Sequence, residues 1–496
     1  MYYNSTRDNS CRVTAAQAIS RGISSEGGLF VPEALPQLSM GELQGLVGKS
    51  YNEKAKAVLS KFLTDFSAEE LANCVDCAYT AEKFDSGNIS EIAKVGEHAY
   101  LLELWHGPTC AFKDMALQLL PHLLTVSAEK TVPGKEIVVL VATSGDTGKA
   151  ALEGFKDVSG TKMLVFYPVH GVSNMQKLQM TTQEGGNVAV CAIEGNFDDA
   201  QSGVKKIFTD PDVLKELEKN GQMFSSANSI NWGRLVPQIV YYVAAYTSLV
   251  EQGEISLGEQ VNVVVPTGNF GNILAAYYAK GMGLPVGKLI CASNRNKVLT
   301  DFLRTGVYDK NREFHTTPSP SMDILISSNL ERLLYDLCGK DDAQIREWFS
   351  ALAKEGRYSV TPEVLSKLRA GFYGGYCTDE ETLSTIGKVF REYGYLSDTH
   401  TAVGLKVYED YVQVTGDTAK TIIASTASPY KFTGSVLKAI TKDPIPEDDF
   451  AQVELLAKLS GTTPPASLLA LKDKKVRFTG SVQKEEMVEQ VLRMLR

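Results

Sequence analysis

Apolar residues recur at helical spacing through much of the first 95 positions: SAEELANCVDCAYTAEKF (67–84) carries an amphipathic period, while GISSEGGLFVPEALP (22–36) is turn-rich. From about residue 96 the pattern changes. Short runs rich in β-branched residues now alternate with helical stretches. EIVVLVA (136–142) is followed by a glycine-containing turn and KAALEGF (149–155), and MLVFYP (163–168) by SNMQKLQMTT (173–182). NVAVCAIEG (187–195) precedes a helix from Asp198, and VNVVVPT (261–267), ILAAYYAK (273–280) and KLICAS (288–293) come later. Strand, helix, strand at this spacing predicts right-handed crossovers and parallel sheets covered on both faces, an α/β doubly wound core.

Between about 295 and 395 the periodicity is mainly helical again, as in ISSNLERLLYDLCG and DAQIREWFSALAKEG, before TIIASTAS (421–428) returns as a strand with KFTGSVLKAIT behind it. The middle block reads as an insertion. The tail from 441 carries Pro444, Pro446, Pro464 and Pro465, then a strand-like VRFTG and a final helix. This divides the chain into a mainly helical leading subdomain (1–95), two halves of the core (96–235 and 236–440, the second with the insertion) and a tail (441–496) that packs on the core. At 496 residues the chain has room for roughly three units of about 150 residues.

Composition narrows the function. With 50 Lys+Arg against 59 Asp+Glu the net charge is −9, which offers no basic footprint for nucleic acid or an anionic membrane. The apolar runs are short or interrupted, so no membrane span is expected. MYYNSTRDNS has no basic segment followed by an apolar one, so a cytoplasmic setting is expected. Eight cysteines include one CxxC, Cys74 and Cys77, which reads as two helix-packed thiols; the six histidines are scattered without HExxH, and no metal is expected.

In a doubly wound sheet ligands gather beyond the carboxyl ends of the strands, so the turns there carry the chemistry. Three stand out: Thr143-Ser144-Gly145-Asp146-Thr147-Gly148, Thr267-Gly268-Asn269-Phe270-Gly271-Asn272, and Ser425-Thr426-Ala427-Ser428-Pro429. GNFGN opens a helix, and its glycines let main-chain amides approach a phosphate at the helix N-terminus. It is neither GxGxxG nor a GxxxxGK[ST] loop, which removes the main support for nucleotide hydrolysis. TSGDTG offers amides to a substrate carboxylate. Asp146 works against that unless its carboxylate turns away to tie the loop or cap the helix. In HGPTCAFKD (106–114) Lys113 follows an apolar, aromatic run, where burial would lower its pKa and free the amine for Schiff-base formation.

Together HGPTCAFKD, ATSGDTG (142–148), SSANSINWGRL (225–235), VPTGNFGN (265–272) and STASPYKF (425–432), with GLFVPEALP (28–36) and DTHTAVG (398–404), resemble the threonine synthases in order and across nearly the whole chain. The resemblance implies two doubly wound parallel-sheet domains of the fold type II pyridoxal-phosphate kind. It implies that Lys113 forms the Schiff base with pyridoxal 5'-phosphate, that Gly268, Asn269, Phe270, Gly271 and Asn272 cradle its phosphate, and that Thr426 sits at the pyridine nitrogen. Ser144, Gly145, Asp146, Thr147 and Gly148 would receive the substrate carboxylate, although related enzymes often carry Asn where Asp146 stands. Asn231 and Arg234 are further substrate-binding candidates. For the substrate phosphate, Arg234 ranks ahead of Arg295, Lys149 and Lys177.

The implied reaction converts O-phospho-L-homoserine and water to L-threonine and phosphate, with Lys113 as base, in a cytoplasmic monomer or homodimer acting on a small molecule. Two alternatives stay open. One is a phospho-lyase or dehydratase that releases 2-oxobutyrate on the same cofactor; the other is a catalytically silent ligand-binding protein of the same fold.

Overall fold

The computed structural model describes every residue except Ser86, Asn88, Ser144, Gly171 and Arg496, together with all side chains but those of Phe197 and Asp198. Two sheets organise the chain. In the larger, the strands run in the order 372–376, 286–293, 261–266, 421–425, 99–103 and 91–95. All neighbours are parallel except the last pair, where Glu91–Val95 lies antiparallel to Ala99–Glu103. The smaller sheet runs 481–483, 188–194, 161–168, 136–142 and 222–225, parallel throughout. Val261–Pro266 is buried along its whole length and Glu136–Ala142 at every interior position. That is the pattern of strands with helices on both faces. The expected α/β class and parallel sheets are therefore present.

The differences from the sequence reading are informative. Ala99–Glu103 pairs with Thr421–Ser425 in the larger sheet, so residues 96–235 supply strands to both sheets rather than to one half of the core. A local pattern carries no trace of a pairing over that sequence separation. The leading segment also forms a three-stranded antiparallel sheet of Tyr3–Ser5, Asp8–Val13 and Phe30–Pro32. Two of those strands are three residues long, too short for alternation to register. The 295–395 block contains the ribbon Val307–Asp309 with Arg357–Ser359 and the edge strand Phe372–Tyr376 besides its helices. VRFTG is not a strand. The tail instead pairs at Ser481–Gln483, and helix Met487–Leu495 buries Met487, Val491 and Leu495 against the smaller sheet's outer layer.

Helix Trp232–Glu251 is the hub of the core. The Trp232 ring lies 5.2 Å from that of Tyr3, 5.7 Å from Phe62 and 6.0 Å from Tyr278, joining the N-terminal sheet to the helices on either side. On helix Ala68–Ala78, Cys74 faces the core and its thiol is pushed up to about 12 by burial, while Cys77 is exposed. No helix among the described residues is long and apolar enough to cross a membrane.

The helix expected over Met115–Leu124 is broken in two, Asp114–Leu117 and Leu120–Thr131, because Pro121 lacks an amide hydrogen and is suited to a first turn. The short piece carrying Lys113 at its start is crossed closely by helix Asp146–Phe155. A Cβ on Gly154 would stand 2.0 Å from the Leu117 carbonyl oxygen. Gly154→Ala is therefore expected to cost about 1–3 kcal/mol through overpacking. An unchanged thermal midpoint in that variant would contradict this close approach.

Candidate active site

Strands Val261–Pro266, Thr421–Ser425 and Ala99–Glu103 are parallel neighbours, so their carboxyl ends open on one edge and deliver GNFGN, Thr426 and the Lys113 loop side by side. The Lys113 loop is stitched to the strand end beside it. The Phe112 amide donates to the Thr426 carbonyl at 2.8 Å and the Ser428 amide to the Cys110 carbonyl at 3.0 Å. Behind it, the Asp114 carboxylate accepts the Thr109 amide at 2.8 Å and hydroxyl at 2.7 Å.

Lys113 is 9% exposed. Its Nζ lies 3.4 Å from Ser321 Oγ, 3.9 Å from Asp146 Oδ2 and 5.0 Å from the centre of the Phe112 ring. Burial lowers its pKa to about 8; Asp146 opposes the shift, and the cations Lys431 and Arg234 reinforce it. An appreciable fraction is therefore free amine near neutral pH, the form that attacks a carbonyl.

Ser321 joins this amine to the glycine turn. Its carbonyl oxygen lies 2.6 Å from where a Cβ of Gly268 would stand, so only glycine fits there. The Ser321 amide in turn donates to His400 Nε2 at 3.2 Å, and His400 Nδ1 faces Asp398 Oδ1 at 2.9 Å. Phe270 takes the left-handed conformation at φ 66° and starts helix Gly271–Gly281. The first amides of that helix lack intrahelical acceptors. Among the described residues, no amide of 268–272 donates to a loop carbonyl or a side chain. Asn272 accepts from the Tyr242 hydroxyl, while its buried Nδ2 has no partner. The unpartnered amides of 268–272 and the buried Asn272 Nδ2 are all donors, which suits an anion.

The TSGDTG turn differs in detail from expectation. Ser144 lies outside the described residues. The amides of Gly145 and Gly148 both donate to Thr143 Oγ1, at 3.0 and 2.9 Å, so Asp146 and Thr147 are left to present first-turn amides. Thr143, named in the turn but given no role of its own from the sequence, is what shapes it. A Cβ on Gly148 would stand 2.2 Å from its methyl. Asp146 does turn away to tie the loop: Oδ1 accepts Lys431 Nζ at 2.7 Å and Gln176 Nε2 at 3.1 Å. Burial would raise this carboxyl, but Lys431 and Lys113 hold it well below the usual range.

The candidate cations separate cleanly. Lys149 is paired with Glu153 at 3.0 Å, Arg295 is half-exposed and 3.5 Å from Asp379, and Lys177 is exposed. Arg234 is 4% exposed and has no carboxylate partner among the described residues. Nη1 donates to the Ala227 carbonyl at 2.9 Å and Nε has no partner. Burial lowers its pKa to about 10. Asn231 Oδ1 caps helix Trp232–Glu251 through the Gly233 amide, and Nδ2 donates to the Ser226 and Ile19 carbonyls, so its side chain holds the start of this helix in place. Lys431, Ser321 and His400 were missed. Lys431 and His400 stand inside quoted motifs, and Ser321 has no sequence signal.

A family model described as "Pyridoxal-phosphate dependent enzyme" matches residues 84–363, flanked by "Threonine synthase N terminus" over 2–79 and "Threonine synthase, C-terminal" over 401–492. The chain is 42% identical to "Threonine synthase-like 1" of Homo sapiens over 90% of its own length and 61% of that protein, so it spans about three fifths of that relative. It is 39% identical to "Threonine synthase" of Pseudomonas aeruginosa, covering 88% of this chain and 90% of the other. A solved structure titled "X-Ray crystal structure of PLP bound Threonine synthase from Brucella melitensis" superimposes with a TM-score of 0.89 at 36% identity, covering 100% of each chain.

The rim of the site generates a pH prediction. His106 Nδ1 lies 2.6 Å from Asp85 Oδ1 and Nε2 lies 2.8 Å from Glu103 Oε2. Burial pulls this imidazole down, but the two carboxylates outweigh it and raise it from 6.5 to about 9. The stability it contributes is therefore complete below pH 6.5 and is lost as pH rises through about 9. His106→Gln is expected to be less stable at pH 6 by about 1–2 kcal/mol after allowance for solvent screening, with the gap narrowing above pH 9. Denaturation across pH measures it; a gap that widens with pH would contradict the bridge.

Proposed function

The chain belongs to the threonine synthase family of pyridoxal-phosphate-dependent enzymes, and on that premise we propose that it carries pyridoxal 5'-phosphate on Lys113 and converts O-phospho-L-homoserine and water to L-threonine and phosphate. The residues present suit that cofactor. A buried amine poised near pH 8 stands against Ser321, and a turn with unsatisfied donors and a glycine that tolerates no Cβ stands against the same residue. When bound, the cofactor supplies an electron sink for charge on the substrate carbons.

The protein's own groups do the rest. In this reading the amides of Gly268, Asn269, Phe270, Gly271 and Asn272 take the cofactor phosphate, and the Thr426 hydroxyl meets the ring nitrogen as a neutral partner that does not hold it protonated. The Asp146 and Thr147 amides, at the start of their helix, receive the substrate carboxylate together with Ser144. Asp146 spends its own charge on Lys431 and so does not repel that carboxylate. Lys113 Nζ removes the Cα proton, gives it up, and then takes a Cβ proton as phosphate leaves from Cγ. That proton is delivered to Cγ, water adds its oxygen at Cβ with its second proton going to the phosphate, and Cα is reprotonated at the end. Ser321 Oγ steadies the amine between these transfers.

Arg234 is the observation that carries the substrate assignment. Lys431 and Arg234 each act electrostatically on buried Lys113, Asp146 is the strongly ionised acid beside the two lysines, and Asp114 is raised by burial to about 6. That positive excess calls for more than one ligand anion. A dehydratase acting on serine or threonine would leave the second one unused. The setting proposed is the cytoplasm, with no nucleic-acid or membrane partner.

Arg234→Gln is expected to lower kcat/KM for O-phospho-L-homoserine by about 10²-fold or more. The thermal midpoint of the variant should stay level or rise, because an uncompensated buried cation is removed. Product analysis in the same assay should find L-threonine and phosphate in equal amounts. Undiminished kcat/KM in the variant would remove Arg234 from the site, and 2-oxobutyrate as the main product would make the chain a phospho-lyase.

A further inference from the structure

The glycine turn is held in shape from behind by residues that belong to the helical insertion. Ser327 Oγ donates to the Gly268 carbonyl at 2.7 Å. Asn329 donates twice to the Asn269 carbonyl, from its amide at 3.0 Å and from Nδ2 at 3.0 Å. In a planar trans peptide the carbonyl and the next amide point in opposite directions. Pinning these two carbonyls toward Ser327 and Asn329 therefore aims the Asn269 and Phe270 amides to the opposite side. Phe270 pays a conformational cost for its φ of 66°, so an external clamp is needed to keep it there.

Asn329 has its own orientation fixed. Its Oδ1 accepts from Arg332 Nη1, which leaves Nδ2 as the donor toward Asn269 and toward the Ser229 carbonyl at 3.2 Å. Arg332 is fully buried, and its remaining donors go to neutral carbonyls, Phe30 at 2.9 Å and Ile230 at 2.6 Å. The adjacent Glu331 is occupied by Arg7 at 2.7 Å. One guanidinium thus joins the N-terminal sheet, the loop leading to Arg234 and the back of the glycine turn.

We infer that Ser327, Asn329 and Arg332 are positioning residues for the cofactor phosphate: they fix the direction of the amides that bind it without touching it. The inference rests on the reading above that residues 268–272 hold that phosphate.

The test titrates the apoprotein with pyridoxal 5'-phosphate and, separately, with pyridoxal, which forms the same bond to lysine but has no phosphate. Two variants are used. Ser327→Ala removes one clamp with no change of charge, and Asn329→Asp keeps the acceptor for Arg332 while replacing the Nδ2 donor with a second acceptor. Ser327→Ala is expected to weaken pyridoxal 5'-phosphate by about fivefold and Asn329→Asp by about tenfold or more, as loss of one and of a reversed hydrogen bond imply. Pyridoxal affinity should stay within about twofold, and the apoprotein midpoints should not fall with Asn329→Asp, which gains a charge pair with Arg332. Equal losses for both ligands, or an unchanged pyridoxal 5'-phosphate affinity in both variants, would overturn the inference. Wild-type protein that binds the two ligands equally would instead overturn the cradle reading, visible before any variant is measured.

Discussion

The site is organised around a desolvated surplus of positive charge. Lys113, Lys431 and Arg234 are all buried; Asp146 faces the two lysines as a firmly ionised partner, and Arg234 has no carboxylate partner among the described residues. Removing cations from water without matching carboxylates is unfavourable, and a fold tolerates it where ligand anions complete the balance. The same surplus acts on the amine proposed to carry the cofactor. Burial and the neighbouring cations bring Lys113 down to about 8, while Asp146 keeps the shift from going further.

Donors suited to an anion come from the main chain as much as from these side chains. Two turns on different sheets present amides at helix starts, and in each the geometry is set by hydrogen bonds made behind the turn. Thr143 Oγ1 gathers the Gly145 and Gly148 amides, and Ser327 with Asn329 turns the Gly268 and Asn269 carbonyls outward. Neutral donors bind phosphate or carboxylate without adding a cation that would further depress the lysine. Ser321 is the point where these parts meet. Its hydroxyl faces Lys113, its carbonyl closes over Gly268, and its amide is anchored on His400.

Much of this was legible in the residues. Parallel strands with buried faces announce themselves as unbroken β-branched runs, and the turns after them are rich in glycine and hydroxyls because those residues suit close backbone approach. That logic singled out GNFGN, TSGDTG and the turn of residues 425–429 as candidates, whereas the roles expected of Lys113 and Thr426 came from the resemblance to the threonine synthases. It failed where a residue acts through distant pairing. Ser321, Ser327 and Asn329 come from a block that reads as helix and loop, and nothing local ties them to residue 268. Lys431 looked like any lysine near a helix start, since burial and the Asp146 partner are tertiary facts. Asn231 is a motif residue whose structural work, capping a helix and holding Ile19 and Ser226, could not be read from the motif. Two of the three N-terminal strands escaped because three residues are too few to show a period.

The central claim is that the cofactor bonds to Lys113, although the equally buried Lys431 stands on the other side of Asp146. Borohydride reduction of the pyridoxal 5'-phosphate-loaded protein, followed by peptide mapping, distinguishes the two amines. Label fixed on the peptide that contains residue 113 is the predicted result, and label on the peptide that contains residue 431 would contradict it.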